Sequence, residues 1–564
     1  MEFDLSKIPF SRYGSYLTIS YINKAEHIKE GLYIRSVRGG DNDISHLFFI
    51  EVTYSGKAVP FEAVASPVNI RLKALEGYVD ICICEKHLIR AVGHGVGLRL
   101  SMEERSYDNA LPVAEGNWEI NCYSEETKFR LVPLAGSLKV DAPWDKYRSK
   151  YVIADFLTDE KTNSFECALE EYMTVWKKRN YGRIFEDCKK DIEKHYCNWL
   201  DKTLTVKNEF SEGRELASYI TWSCVVPPKG LITRHAMYMS KNWMTNIWSW
   251  DNCFNAMALI KNQPELAWDQ IMLFVDNQDE SGVFPDFIND KFMGWSCCKP
   301  PIQGWIFLWM MKRTNVFTME RIQEIYEPLC RWTNWWFEYR DDDMDGVPQY
   351  NHGNDCGWDN STVFNKGIPV ESPDLSAYLI IQMDVLAYMA EKLGKYDEHK
   401  MWKLKSDELL EKMIQHFWCD DDFCALLSGD HEIVKSQSLL LYIPIILGKK
   451  LPEHILESLI KGLKDESKFL TEHGLSTESV SSEHYIPDGY WRGPIWAPST
   501  ILITDGLLEA GEKEFSKEIA QRFCKMAQKS GMAENFNALT GEGLRDEAFT
   551  WTSSIFLILG NEYC

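Results

Sequence analysis

The stretch SPDLSAYLIIQMDVLAYMAEKLG, residues 372–394, decides how the larger part of this chain folds. Leu375, Leu379, Met383, Leu386, Ala390 and Leu393 recur at steps of three and four, the spacing of one helix face. Ser372 stands where an N-cap belongs, Pro373 where a missing N–H costs nothing, and Gly394 where a helix unwinds. The pattern predicts a helix with one buried stripe.

Outward from it, the same period recurs near 212–226, 250–262, 264–278, 299–314, 317–339, 396–418, 434–446, 452–464, 495–510, 512–530 and 546–559, giving roughly twelve helices. Long connections fall near 227–249, 279–298, 340–370, 419–433, 465–494 and 531–545, and short ones alternate with them. Short connections make neighbouring helices antiparallel, so all the long loops emerge at one end. Six such pairs predict a closed double ring, an (α/α)6 toroid, over residues 206–564.

Residues 1–175 read as β. Short β-branched and aromatic runs at 16–22, 46–52, 78–84 and 129–134 are separated by Gly, Pro, Asn and Asp. The expected fold class is an N-terminal all-β sandwich plus a C-terminal all-α (α/α)6 toroid. Gly93-His94-Gly95-Val96-Gly97 leads into strand-like Leu98-Arg99-Leu100 rather than a helix, so it reads as a hairpin turn and not a nucleotide loop. From about 165 the pattern becomes charged and helical, with 176–205 as a linker.

With 564 residues and 45% apolar content the chain can bury sizeable cores. A net charge of −23 with no long Lys/Arg run argues against nucleic acid or an anionic membrane as partner. No apolar run reaches the ~18 residues of a membrane span, and residues 1–7 lack the features of a signal peptide, so the expected location is cytoplasmic. The sixteen cysteines are scattered without a CxxC pair and read as reduced thiols, with Cys297-Cys298 as a possible redox pair.

The chemistry lies in the long loops. Asn351-His352-Gly353-Asn354-Asp355-Cys356-Gly357-Trp358-Asp359-Asn360-Ser361 packs acids, an aromatic platform and tight turns together, as glycosidic cleavage requires. A second carboxylate must complement it, and Glu534 in Met532-Ala533-Glu534-Asn535 is the candidate. In Trp248-Ser249-Trp250-Asp251, Asp251 can accept sugar hydroxyls while Trp248 stacks, or it can be an N-cap. Gln303 can bind a hydroxyl or solvate a helix start. Arg492, in Tyr490-Trp491-Arg492-Gly493-Pro494-Ile495-Trp496, can hold an anionic group, orient a carboxylate or stack on Trp. Asp341-Asp342-Asp343-Met344-Asp345-Gly346 begins like a calcium loop, but position 12 is His352 rather than Glu, which favours a solvated acidic turn. No metal or other cofactor is expected, and the isolated His352 and His484 read as structural.

Gly357-Trp358-Asp359-Asn360-Ser361, the Tyr490 to Trp496 motif, Glu534-Asn535-Phe536 with Thr540-Gly541, and Phe549-Thr550-Trp551-Thr552 together resemble glycoside hydrolase family 63 over roughly 240–560. The branch most similar contains bacterial mannosylglycerate and glucosylglycerate hydrolases, with trehalases more distant. The resemblance implies an inverting enzyme acting on α-glucosides or α-mannosides, with Asp359 as general acid and Glu534 as general base. It also implies that Trp248, Asp251, Gln303, Trp358, Tyr490, Trp491, Arg492 and Trp496 surround the −1 sugar. Inversion needs the two carboxyls roughly 6.5–9.5 Å apart, and Asp359 needs a raised pKa, with Asp355 as its understudy. A sugar phosphorylase, a polysaccharide lyase or an epimerase on the same toroid, or a carbohydrate-binding protein without catalysis, are the competing readings. The expected partner is a small soluble carbohydrate.

Overall fold

A computed structural model describes residues 1–23, 28–41 and 45–564. The chain forms two compact units: one of Met1–Asp201, Ser218–Pro227 and Ser240–Thr245, the other of Lys202–Ala217, Pro228–Met239 and Asn246–Cys564.

The first unit is built on two antiparallel sheets. One runs in the order Leu17–Ile22, Gly31–Ser36, His46–Tyr54, Gly97–Met102, Val152–Leu157, Ser137–Asp141. The other has eight strands, with Ser164–Tyr172 between Thr127–Ala135 and Leu88–His94. Alternate side chains of the two sheets, among them Ile50, Leu100 and Phe156 from one and Ile81, Leu131 and Phe165 from the other, bury into a single core.

Two expectations need correction here. Gly93 to Gly97 is a turn, but not of a hairpin: Leu88–His94 and Gly97–Met102 belong to different sheets, and the chain crosses between them. Residues 164–172 are a strand rather than the start of a helix, because Phe165, Cys167 and Leu169 alternate inward with period two. Helix begins only at Phe185.

The α-helices of the described residues are α1 (Phe185–Lys202), α2 (Ser211–Cys224), α3 (Asp251–Leu259), α4 (Pro264–Asp276), α5 (Gln303–Arg313), α6 (Met319–Tyr339), α7 (Pro373–Lys392), α8 (Tyr396–Phe417), α9 (Glu453–Leu463), α10 (Ala497–Ala510), α11 (Lys513–Ser530) and α12 (Thr550–Glu562). The predicted helix at 434–446 is instead a 3-10 segment, Leu439–Lys450, in which Pro444 removes a backbone donor. Contacts close a ring within the second unit. α3 packs on α5, α5 on α7, α7 on the 3-10 segment, that segment on α10, α10 on α12, and α12 back on α3. Outside it, α4 packs on α3, α6 and α8 on α7, α9 on the 3-10 segment, and α11 on α10 and α12.

Membership of the inner ring explains a second difference. Besides its predicted stripe, α7 buries Ala377, Tyr378, Ile380, Ile381 and Gln382, because its N-terminal half is covered on every side, while Tyr388 nearer its end stays exposed. Helices this closely packed need small residues. A Cβ on Gly304 of α5 would fall 2.3 Å from the Gln382 Cα of α7. The long connections, 225–250, 277–302, 340–372, 418–438, 464–496 and 531–549, each lead into the N-terminus of an inner element.

Candidate active site

Asp359 lies in the third long connection, after the short 3-10 turn Gly353–Cys356, which His352 caps by accepting the Asn354 N–H at 2.9 Å. Gly357 takes φ 76°, and a Cβ there would strike the Trp250 ring at 2.6 Å, so the turn admits only glycine. Asp355 is engaged within the turn. It is 2% exposed, and its two oxygens accept the backbone N–H groups of Cys298 and Asn351, each at 3.1 Å. Burial pushes the Asp359 carboxyl above the ordinary range and nearby Asp286 adds to this, while Lys299 and the Trp491 indole pull it down.

Glu534 lies in the sixth connection, held by its backbone. Its N–H donates to Asp546 O at 2.7 Å, and the adjoining strand Asn535–Phe536 pairs with Gly543–Leu544. Thr552 in α12 donates to Ala533 O at 2.6 Å. The Glu534 carboxyl is 5% exposed, and burial, reinforced by Asp546, raises its pKa to about 7 against a hydrogen bond from Tyr490 and the charge of Arg545. Asp359 also raises it, so the two carboxyls belong to one electrostatic site.

Asp251 shares this site. It is the first residue of α3, with Trp250 and not Asp251 in the N-cap position, and its carboxyl accepts its own backbone N–H. Burial pushes its pKa far up, and among the described residues its Oδ2 has no hydrogen-bond partner despite full burial. A buried carboxylate oxygen left open in a polar cluster is a waiting acceptor. Gln303 heads α5, and its Oε1 accepts the Trp332 indole N–H at 3.0 Å, which fixes the lie of the amide. Trp248 is partly exposed beside Phe287, with ring centroids 5.8 Å apart. Facing these acids is Lys299. Burial works against its charge, but Asp286, at 2.8 Å, and Asp359 outweigh that and hold its pKa above the usual value.

Residues 244–552 match the mannosylglycerate hydrolase MGH1-like glycoside hydrolase domain. The chain belongs to that family. It is a glycoside hydrolase of the family 63 kind. Mannosylglycerate hydrolase of Thermus thermophilus is 20% identical over 55% of this chain and 93% of its own. Mannosylglycerate hydrolase MGH1 of Selaginella moellendorffii is 19% identical over 55% and 79%. Among solved structures, the Thermus thermophilus enzyme in complex with glucose aligns with a TM-score of 0.53 at 16% identity, over 62% of this chain and 98% of its own. A bacterial glucoamylase complexed with acarbose gives 0.63 at 13% identity over 99% and 94%, so its fold extends to the β-rich N-terminal region as well.

In this MGH1-like domain the tryptophans form a column. Trp358 stacks on Trp491 with centroids 4.6 Å apart and Trp491 on Trp496 at 3.9 Å, and none is more than 1% exposed. Most of each ring face is spent on its neighbour, so the column supports the site more than it offers open platforms. Tyr490 adopts φ 63°, a strained value for a non-glycine residue, and this delivers its hydroxyl to Glu534. Arg492 is used within the protein: Nε donates to Asn360 O and Nη2 to Asn365 Oδ1, both at 2.6 Å. It therefore latches the segment beside Asp359.

Residues that sequence reasoning passed over complete the site: Asp286, Lys299, Asn360, Arg545 and Asp546. Asn360 donates to Gly489 O and accepts the Trp491 N–H, each at 3.0 Å. Arg545 lies over the Tyr490 ring at 4.9 Å. Asp286 had a usable signal, since Phe284-Pro285-Asp286-Phe287 sets an acid among aromatics in a long loop as Trp250-Asp251 does.

Proposed function

We propose that this chain is an exo-acting, inverting α-glycosidase that hydrolyses a small soluble α-glucoside or α-mannoside within an (α/α)6 toroid over residues 206–564, preceded by a β-sandwich at 1–175 and a helical linker at 176–205. Asp359 is the general acid and Glu534 the general base. The observation that carries this reading is that the Asp359 and Glu534 carboxyls are both raised in pKa by burial, with Asp359 among the groups that raise Glu534, beside Asp251, whose Oδ2 has no partner among the described residues.

In the mechanism, Asp359 gives a proton to the departing glycosidic oxygen, and the burial that disfavours its charge favours that role. Glu534 enters ionised, stabilised by the Tyr490 hydroxyl and by Arg545, and takes a proton from the water that attacks the anomeric carbon from the opposite face. Both protons are accounted for: Glu534 ends neutral, Asp359 ends charged, and solvent exchange restores them. Asp251 receives a sugar hydroxyl at Oδ2, Gln303 a second, and Trp248 stacks on the ring. Lys299 carries the compensating positive charge, which keeps three acids and Asp286 together without mutual expulsion.

Among the described residues no helix is long and apolar enough to cross a membrane. The sixteen free cysteines support a reducing compartment and so a cytoplasmic location. The deciding experiment is a panel of α-linked disaccharides, mannosylglycerate and glucosylglycerate, with proton NMR of the first-formed sugar. Release of the β anomer is expected. First release of the α anomer overturns inversion, and a sugar phosphate formed on adding phosphate overturns hydrolysis as the main reaction.

A further inference from the structure

Between the third, fourth and fifth connections lies a buried carboxyl that the reaction derived above does not use. Glu478, in the fifth, is 0% exposed. Its Oε2 accepts the Thr362 hydroxyl at 2.7 Å and its Oε1 the Ser482 hydroxyl at 2.6 Å. Thr362 opens the 3-10 turn Thr362–Phe364, just beyond Asp359 and Asn360. A hydroxyl has one proton to give. With the Thr362 proton on Glu478, the 2.7 Å pair of Thr362 with Ser436 of the fourth connection runs from Ser436 to Thr362. Beside it, Ser361 donates to Ser438 Oγ at 2.9 Å, and Ser438 forms a backbone bridge with Glu478 itself.

The carboxyl sets the direction of this network. When ionised it accepts and cannot donate, so both hydroxyls that meet it must point at it. Burial pushes its pKa up, while the Ser482 and Thr362 bonds and the charges of His484 and Arg492 pull it down. Arg492 is also the donor to Asn360 O. Glu478 therefore holds the segment after Asp359 from two sides, through the Thr362 hydroxyl and through its attraction for Arg492.

We propose that Glu478 is a positioning residue for the general acid: it fixes Asn360 to Thr362, and with them the place from which Asp359 delivers its proton. This role rests on Asp359 being the acid. Loss of Glu478 should impair protonation of the departing oxygen and spare the water side of the reaction, because Glu534 is held by the backbone of the sixth connection.

The test compares two substrates carrying the sugar that the parent enzyme releases: its methyl glycoside, whose departing oxygen needs a proton, and its glycosyl fluoride, whose leaving group needs far less help. The full chain carries Glu478→Gln, Thr362→Val or both. Each single change should lower kcat on the methyl glycoside by about 10- to 30-fold, with KM within about 2-fold and a loss on the fluoride below about 3-fold. Turnover of the fluoride also reports that each variant is folded. Thr362→Ser keeps the hydroxyl and should stay within about 3-fold of the parent, and the double variant should be no worse than the poorer single one. Equal losses on the two substrates, parental turnover of the methyl glycoside in Glu478→Gln, or additive losses in the double variant overturn the role of Glu478. Asp359→Asn checks the reading beneath it. If that variant loses the fluoride as fully as the methyl glycoside, both assignments fall; if it spares the fluoride and the Glu478 variant does not, only the role of Glu478 falls.

Discussion

The third and sixth connections carry the two carboxyls assigned to the reaction, and they hold them by opposite means. Glu534 is fixed by backbone: its own N–H, the ladder of Asn535–Phe536 with Gly543–Leu544, and the paired bonds between Phe536 and Ile495. Asp359 is fixed by side chains, with Asn360 and Arg492 bonding across to the fifth connection and Asp355 tying the turn to Cys298. A carboxyl held by main chain resists the loss of any one side chain. One held by side chains does not.

The largest effect tests whether the two groups are partners at all. Asp359→Asn and Glu534→Gln should each lower kcat by about 10²- to 10⁴-fold, the range for removing one acid–base group. Steady-state kinetics decide it, and near-parental turnover in either variant would sink the pair.

The next test addresses the difference in support. Asn360→Ala loses two hydrogen bonds worth about 1 kcal/mol each and should lower kcat by roughly ten- to a hundredfold through misplacing Asp359. KM should move less. Asn537→Ala, in the sixth connection, removes only local bonds to Leu539 and Thr540 and should change kcat by less than about threefold. Equal losses in the two variants would erase the contrast.

The smallest effect is a shift along the pH axis. Glu534 acts as a base only when ionised, so kcat/KM should rise with pH through about 7 and be lost below it. Tyr490→Phe removes a hydrogen bond that favours the ionised form, which raises the Glu534 pKa. The acidic limb should therefore move upward by about 0.5–1 unit, costing ~3- to 10-fold in activity at pH 6. A limb that stays in place would assign that titration to another group.

Much of this was legible in the sequence because periodicity and loop length are local signals. The predicted helices from 212 onward have counterparts within a few residues, save the 3-10 segment, where Pro444 breaks a pattern that residue hydrophobicity alone presents as helical. The alternation of long and short connections located the loops that meet at Asp359 and Glu534. What stayed hidden depends on residues distant in sequence. Nothing local marks the N-terminal half of α7 as covered on all sides, Arg492 as bound to Asn360, or Lys299 as the counter-charge to Asp286 and Asp359. Nothing local pairs His416 with Glu371 or His431 with Asp343, which lie 45 and 88 residues away.

The ring closure between α3 and α12 has a consequence for how the protein is made. Ser554 donates to Asn255 Oδ1 at 2.7 Å and Asn255 donates to Thr550 Oγ1 at 3.2 Å, joining segments some three hundred residues apart. While a ribosome is still synthesising the intervening sequence, α3 waits with a greasy flank uncovered. A ring closed by its two ends is therefore completed last, since that long-range contact must wait for both segments.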